Sequence, residues 1–262
     1  MTEDLSRMKE QVYKDPRPAE YFERYHRRGR SRDPDFVYEL VRIVLTPLCL
    51  VLFRARCIAS ENVPQTGAAI FAPNHFSFMD HFFVAMFMRR RVRFMAKSQL
   101  FSGPLQWILY HGGVFPVRRG HHDEEAFITA ETILGHGRTI VMYCEGGRSR
   151  TGELSNKAKP GIGRLALETG APVVPIAVYG SQKARNWKRL QFPKVTVQFG
   201  EPMAFDRVAE PTREQQQAVA DEVFANIRHL YADLKRTGRK GMVQRVREQR
   251  RAERRARGTA TA

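Results

Sequence analysis

The sequence of 262 residues predicts an α/β fold, with a mixed, mostly parallel central sheet covered by helices. Two observations lead to this prediction. From residue 54 onward, short runs of β-branched residues alternate with longer segments of helical periodicity. Polar residues suited to chemistry stand where predicted strands end, which is the edge at which open α/β sheets bind ligands. The length allows one generous domain or two small ones.

The first 53 residues form two predicted pieces. Residues 1–35 are polar and end in RYHRRGRSRDPD, so we expect a short surface helix or an ordered arm with little core. Residues 36–53 have apolar residues at helical spacing and are predicted to form an amphipathic helix kinked near Pro47. This segment is shorter than the roughly 20 apolar residues of a membrane span. It either lies in a membrane interface among flanking arginines or docks on the core, and its periodicity supports both.

The remaining elements follow in order along the chain. Six strands are predicted, at 68–72, 92–96, 114–117, 139–144, 173–179 and 194–200. Five helices are predicted, at 80–90, 98–110, 123–135, 161–169 and 212–235. We therefore divide the chain into an N-terminal arm and helix (1–53), an α/β domain (54–234) and a basic tail (235–262).

The formal net charge of +17 indicates an anionic partner, which could be nucleic acid, an anionic lipid surface or a phosphorylated substrate. Residues 235–258 hold eleven Lys or Arg against two Glu, a local net of +9 that leaves +8 elsewhere. We expect this tail to be a disordered or frayed helical arm. The three cysteines, Cys49, Cys57 and Cys144, include no CxxC pair and follow no secretory signal, which suits a reducing cytosolic compartment.

The stretch FAPNHFSFMD places His75 in a loop after the strand predicted at 68–72. Asp80 follows five residues later and could orient the imidazole as a general base near pH 7. The alternative is structural, because Ser77 and Asp80 match a capping box at the start of the next helix. The spacing leaves both interpretations open.

Two further stretches offer anion-binding groups. HGGVFPVRRG (111–120) ends a predicted strand in Arg118 and Arg119, which could clamp a phosphate or simply form a polar strand terminus. MYCEGGRSRTGEL (142–154) places Glu145, Arg148 and Arg150 after another strand, with glycines that let the backbone approach a ligand. A plain charged turn is the alternative.

Several common enzyme signatures are missing from the sequence. It has no GxSxG elbow, no GxxxxGK[ST] phosphate loop and no HExxH motif. GIGRLA (161–166) fits a dinucleotide fingerprint, but no predicted strand precedes it. GHHDEE (120–125) could bind a metal, yet it lacks a second ligand cluster, so we expect a solvated helix start there.

Taken in order, these motifs resemble the four blocks of the glycerolipid acyltransferases, and specifically the bacterial 1-acyl-sn-glycerol-3-phosphate acyltransferases (the PlsC-like enzymes). The resemblance covers about residues 36–205. The matching positions are Asn74, His75, Ser77 and Asp80 in block one; Gly113, Val114, Phe115, Val117 and Arg119 in block two; residues 143–149 in block three; and Val174, Pro175 and Ile176 in block four. Cys144 and Gly147 depart from the family's usual proline and threonine, which leaves substrate preference open.

The resemblance implies the glycerolipid acyltransferase fold and a reaction that forms phosphatidic acid. The acyl donor would be acyl-CoA or acyl-carrier protein, the acceptor lysophosphatidic acid, and no cofactor or metal would take part. His75 would be the base and Asp80 its orienter, with no acyl-enzyme intermediate. The implied substrate-binding residues are Asn74, Ser77, Gly113, Arg119, Glu145, Gly146, Gly147 and Arg148.

The same resemblance favours the interfacial interpretation of residues 36–53, since a lysophospholipid resides in a bilayer. It implies a peripheral or monotopic enzyme at the cytoplasmic face of the cell membrane. The run FFVAMFM (82–88) could line an acyl-chain groove or belong to the core. Two alternatives remain: an enzyme acting on another acceptor, such as glycerol-3-phosphate or water, and a basic nucleic-acid-binding protein, which the lack of aromatic residues in the tail disfavours.

Overall fold

The fold is seen in a computed structural model that describes residues 14–121, 123–149, 151–184 and 191–260, without the side chains of 253, 254 and 256–260. Seven strands form its central sheet: β1 (Arg56–Ile58), β2 (Ala69–Pro73), β3 (Arg93–Lys97), β4 (Phe115–Val117), β5 (Thr139–Val141), β6 (Val173–Tyr179) and β7 (Thr196–Phe199). Their order is β1-β7-β6-β2-β5-β3-β4. Every neighbouring pair is parallel except β6 and β7. The predicted α/β class with a mixed, mostly parallel sheet is confirmed.

Within the described residues, seven α-helices surround the sheet: α1 (Glu20–Ser31), α2 (Phe36–Leu52), α3 (Asp80–Ala85), α4 (Leu105–His111), α5 (Glu124–Gly135), α6 (Gly161–Thr169) and α7 (Arg213–Ala260). One apolar cluster joins α2 and α3 to one face of the sheet. A second joins α5, α6 and α7 to the other face. The strands between them are buried on both faces, as expected for a parallel sheet covered by helices. Strand β1, which has only three residues, was not predicted from the sequence.

The expectation that residues 1–35 contribute little to the core is wrong. Helix α1 fully buries Phe22 and almost fully buries Tyr25, and Tyr25 packs edge-to-face on Phe101. These residues share one face of a helix in which half of the residues are charged, so the average composition of the segment conceals its buried face. Arg17 anchors the preceding arm, because its guanidinium donates to the carbonyl oxygens of Ser98 and Phe101 at 2.7 Å each.

Helix α2 contains Pro47, and its N-cap is Asp35, whose carboxylate accepts a hydrogen bond from Val37 N. Only Val37, Tyr38 and Cys49 of this helix are buried. Most of its remaining apolar residues are exposed: Phe36, Leu40, Ile43, Val44, Leu48, Leu50, Val51 and Leu52. Helix α2 thus docks along one edge and presents a wide apolar stripe outward. Within the described part of the chain, we find no helix with the length and hydropathy of a membrane span.

The basic tail is helical where it is described, and its first residues are packed. Helix α7 breaks at Gly238, which has φ 66° and ψ 174°. Beyond the break, Arg239 donates to the carbonyl oxygens of Arg54 at 2.8 Å and Val195 at 2.7 Å. Met242 is buried in a cluster with Ile58. The tail therefore begins as a helix that covers the β1 edge of the sheet, and the expectation of disorder is wrong for these residues.

Candidate active site

The candidate site lies where the central strands β2 and β5 end side by side. The loop after β2 carries His75, and the loop after β5 carries Glu145. The Glu145 carboxylate accepts hydrogen bonds from His75 N at 2.8 Å and from Ser155 N at 2.9 Å. In return, Ser149 N donates to the carbonyl oxygen of His75 at 2.8 Å. Glu145 therefore joins the two loops and fixes the backbone from which the imidazole projects.

His75 and Asp80 form the predicted pair. Nδ1 of His75 lies 3.0 Å from Oδ2 of Asp80, which also accepts hydrogen bonds from the backbone N–H groups of Phe76 and Ser77 at 2.7 Å each. Ser77 Oγ accepts a hydrogen bond from Met79 N at 3.2 Å. One carboxylate oxygen thus bonds both the loop backbone and the imidazole. The predicted capping box is displaced, because helix α3 begins at Asp80 itself and its N-cap position is Met79. Because a carboxylate accepts, Nδ1 carries the proton and Nε2 has the free lone pair.

The surroundings of His75 keep it neutral. Burial lowers its pKa below the usual 6.5, the Asp80 carboxylate opposes that effect, and the charges of Arg148 and Arg119 lower it further. The residue is only 7% exposed. A neutral imidazole backed by a buried carboxylate can accept a proton at pH 7 and is stabilised when it does so.

Two aromatic side chains flank this imidazole: Tyr143, which belongs to block three but had no predicted role, and His81, which was not predicted. The ring of Tyr143 stacks on His75 with centroids 3.9 Å apart and planes 20° apart. The ring of His81 meets His75 edge-on at 5.1 Å. Both residues stand beside predicted site residues in the sequence, Tyr143 before Glu145 and His81 after Asp80, and this proximity was the signal available.

Cationic groups converge on the same edge of the sheet. Lys97 ends β3, Arg119 follows β4 and Arg148 follows β5. Burial lowers the pKa of Lys97, and the charges of Arg148 and Arg119 lower it further. Lys97 was not predicted, although it follows directly on the strand predicted at 92–96. The three cations repel one another, and a phosphate dianion bound between them would relieve that repulsion.

Two predicted substrate contacts are replaced by structural roles. The side-chain amide of Asn74 is fully buried; it donates to Val178 O at 3.1 Å and accepts from Val178 N at 2.7 Å. It therefore ties the loop to β6, and its complete burial keeps it from a substrate at the surface. Gly113 precedes β4, at the edge of the sheet opposite His75, and an added Cβ would collide with Pro34. Its φ of 74° and this close packing explain the glycine.

The other predicted residues of the β5 loop line a polar cleft. Glu145, Gly146, Gly147 and Arg148 all border it, and Gly146 adopts φ 66°. Arg150 lies outside the described residues, as does His122 of the GHHDEE stretch. Among the His, Cys, Asp and Glu side chains that are described, no three come close enough to hold a metal ion.

An open apolar cavity of about 140 Å³ lies between α2, α3 and α4. Its walls include Val41 and Leu45 of α2, Phe82 and Met86 of α3, and Ile108 of α4. His81 also lines it, so the cavity reaches the neighbour of the base. The run 82–88 contributes both to the cavity wall and to the core, since Phe83, Val84 and Met88 belong to the core.

Comparison with known proteins relates this geometry to a family. Residues 54–179 match a family model described as Acyltransferase. This region, just under half of the chain, resembles the acyltransferases. This matched region includes both loops of the candidate site, the cationic side chains and strands β2 to β6.

Curated members of the family resemble the chain over about half of its length. A chloroplastic 1-acyl-sn-glycerol-3-phosphate acyltransferase of Arabidopsis thaliana is 29% identical over 47% of this chain and 35% of its own. The Borreliella burgdorferi enzyme of that name is 29% identical over 47% of this chain and 50% of its own. The human beta form is 28% identical over 52% and 50%. The chain thus spans half or less of the length of these relatives.

A solved structure agrees with the family's fold over a larger share. The 1-acyl-sn-glycerophosphate acyltransferase PlsC of Thermotoga maritima superposes with a TM-score of 0.57 and covers 82% of this chain and 89% of its own. Sequence identity is 22%, so this likeness concerns the fold alone.

Proposed function

We propose that the protein transfers a fatty acyl group from acyl-CoA or acyl-carrier protein to the free hydroxyl of 1-acylglycerol-3-phosphate, forming phosphatidic acid. The observation that carries the proposal is the buried His75–Asp80 pair, set between a cationic edge and an apolar cavity. The acceptor's phosphate suits Lys97, Arg119 and Arg148, and a fatty chain suits the cavity. The names of the curated relatives agree with this substrate.

The proposed reaction needs one base and no covalent intermediate. Nε2 of His75 takes the proton of the acceptor hydroxyl while the oxygen attacks the thioester carbonyl. The tetrahedral intermediate collapses, the carbon–sulfur bond breaks, and His75 returns the proton to the departing thiolate. Asp80 stabilises the imidazolium between the two proton transfers. Clamping the phosphate converts an encounter between two substrates into an oriented attack, which can lower the barrier by several kcal/mol.

Thiol release from acyl-CoA tests the reaction. Release should require lysophosphatidate and disappear in His75→Ala, while His136→Ala, which removes an exposed histidine, should behave as wild type. Glycerol-3-phosphate, other lyso-lipids and an acceptor-free reaction would identify another acceptor or a hydrolase. Undiminished activity in His75→Ala would contradict the assignment of the base. Because we expect no metal or cofactor, activity should survive dialysis against a chelator.

We further propose that the apolar stripe of α2 rests in the membrane interface, beside the cavity that would receive the acyl chain. Ile43 and Val51 are 68% and 72% exposed, a degree of apolar exposure typical of interaction surfaces. Replacing either with Glu should reduce flotation with liposomes of anionic lipid without changing the melting temperature. Ile128→Glu, an exposed apolar position on α5, is the matched control. Equal flotation of all variants would contradict contact between the stripe and the membrane interface.

A further inference from the structure

The imidazole of His75 is enclosed on several sides. Tyr143 covers a ring face, with centroids 3.9 Å apart. His81 meets the ring edge-on at 5.1 Å and also contacts Tyr143 at 5.1 Å. Asp80 occupies the Nδ1 edge. Only 9% of the His75 side chain is exposed. The three side chains leave little of the base open to solvent.

We propose that the rings of Tyr143 and His81 keep water away from His75, so that the base activates the acceptor hydroxyl in preference to water. This inference rests on the proposed function. A base that accepts a proton from an alcohol can also accept one from water. In that competing reaction, the hydroxide attacks the thioester carbonyl, the carbon–sulfur bond breaks, and the products are a fatty acid and the free thiol. Excluding water from the base suppresses this loss.

The ring of Tyr143, and not its hydroxyl, carries this role. The hydroxyl is buried and has no hydrogen-bond partner among the residues that the structure describes. Burial raises the pKa of Tyr143 well above its usual value, so the hydroxyl stays neutral. Since nothing in the described site depends on the hydroxyl, Tyr143→Phe preserves the enclosure. Tyr143→Leu removes most of the stacked surface.

The ring of His81 is fixed and uncharged. Its Nδ1 lies 3.0 Å from the carbonyl oxygen of Phe78, which requires that Nδ1 donate. Burial lowers the pKa of His81 to about 4. At neutral pH it therefore covers His75 without adding a positive charge that would oppose proton uptake by the base.

The partition between transfer and hydrolysis tests the proposal. Thiol release from acyl-CoA is measured with and without lysophosphatidate for wild type, Tyr143→Phe and Tyr143→Leu. We expect a hydrolysis-to-transfer ratio at least tenfold higher in Tyr143→Leu and within twofold of wild type in Tyr143→Phe. The acid limb of kcat/KM should also move upward toward pH 6.5 in Tyr143→Leu alone, because water now reaches the imidazole.

Each outcome decides something different. A wild-type ratio in folded Tyr143→Leu, or an equal rise in both variants, would overturn the enclosure. Absence of lysophosphatidate-dependent release in wild type would instead overturn the proposed function. A second measurement needs no variant: diethylpyrocarbonate should modify His75 at least tenfold more slowly than the exposed His136 in the native protein. Equal rates would show that His75 is open to solvent.

Discussion

Replacing Asp80 with Asn should weaken both the fold and the reaction, by separable amounts. One oxygen of Asp80 accepts three N–H groups, from His75, Phe76 and Ser77. A hydrogen bond to a charged acceptor contributes about 1 kcal/mol more than one to a neutral acceptor, so the change loses about 3 kcal/mol. The other oxygen has no partner among the described residues, and an amide nitrogen in its place would be a buried unpaired donor costing about 1 kcal/mol or more.

The unfolding free energy should therefore fall by about 4 kcal/mol, which for a chain of this size corresponds to a melting temperature lower by roughly 8 to 16 °C. The rate falls for another reason, because Asn cannot stabilise the imidazolium. We expect kcat to drop by about 10² to 10⁴, the usual contribution of a general base. Both quantities should be measured well below the variant's melting temperature.

A double-mutant cycle separates the two roles. In a His75→Ala background, Asp80→Asn should leave the residual rate unchanged, because the carboxylate acts on the reaction through the imidazole. It should still lower the melting temperature, because Phe76 and Ser77 keep their bonds to the carboxylate in that background. If the double variant instead lost rate by the product of the two single losses, this account of Asp80 would be refuted.

Three further predictions follow from the site. Because burial places the pKa of His75 below 6.5, kcat/KM should hold as the pH falls to that value and decline only below it; a limb centred above pH 6.5 would contradict the burial. Burial raises the pKa of Glu145 from 4.5 to about 6, so the folded protein holds this proton more tightly than the unfolded chain. Glu145 alone should therefore lower the unfolding free energy by about 2 kcal/mol at most between pH 4 and 6.5. Glu145→Gln should remove that contribution from the slope measured in urea titrations. The variant should also lose activity, since Gln can accept from only one of the two N–H groups. Lys97→Met and Arg148→Lys should raise KM for lysophosphatidate at least tenfold but leave KM for an uncharged monoacylglycerol within twofold; equal effects on both acceptors would argue against a phosphate site.

The elements that the sequence predicted well are those whose physical signal is local. Strand β6 has seven residues, the first six of them buried, and the residues around His75 stand next to one another in the chain. The elements it missed depend on distant partners. Strand β1 is only three residues long and pairs with β7, which lies more than a hundred residues later. Helix α1 is polar on average, and its aromatic residues find their partners only in the folded protein.

The site was predicted to a similar extent. Motif spacing located His75, Asp80 and Glu145, and their hydrogen bonds hold the loops together. Spacing could not show that the buried amide of Asn74 is hydrogen-bonded to Val178. Nor could it show that Gly113 lies at the edge of the sheet opposite His75. Both facts depend on which strands are neighbours and in which direction they run. Lys97 was missed for the same reason, since its partners Arg119 and Arg148 come from other strands.

Helix α1 is synthesised before the residues against which it packs. Phe22 and Tyr25 leave the ribosome early, yet they are buried against Phe101, and His26 bonds Thr129 at 2.9 Å. The helix therefore cannot complete its docking until about residue 129 has been made. Throughout that interval the apolar stripe of α2 is already present on the nascent chain, without the domain that later stands beside it. If the stripe rests in the membrane interface as we propose, a membrane can bind that segment before the catalytic loops exist.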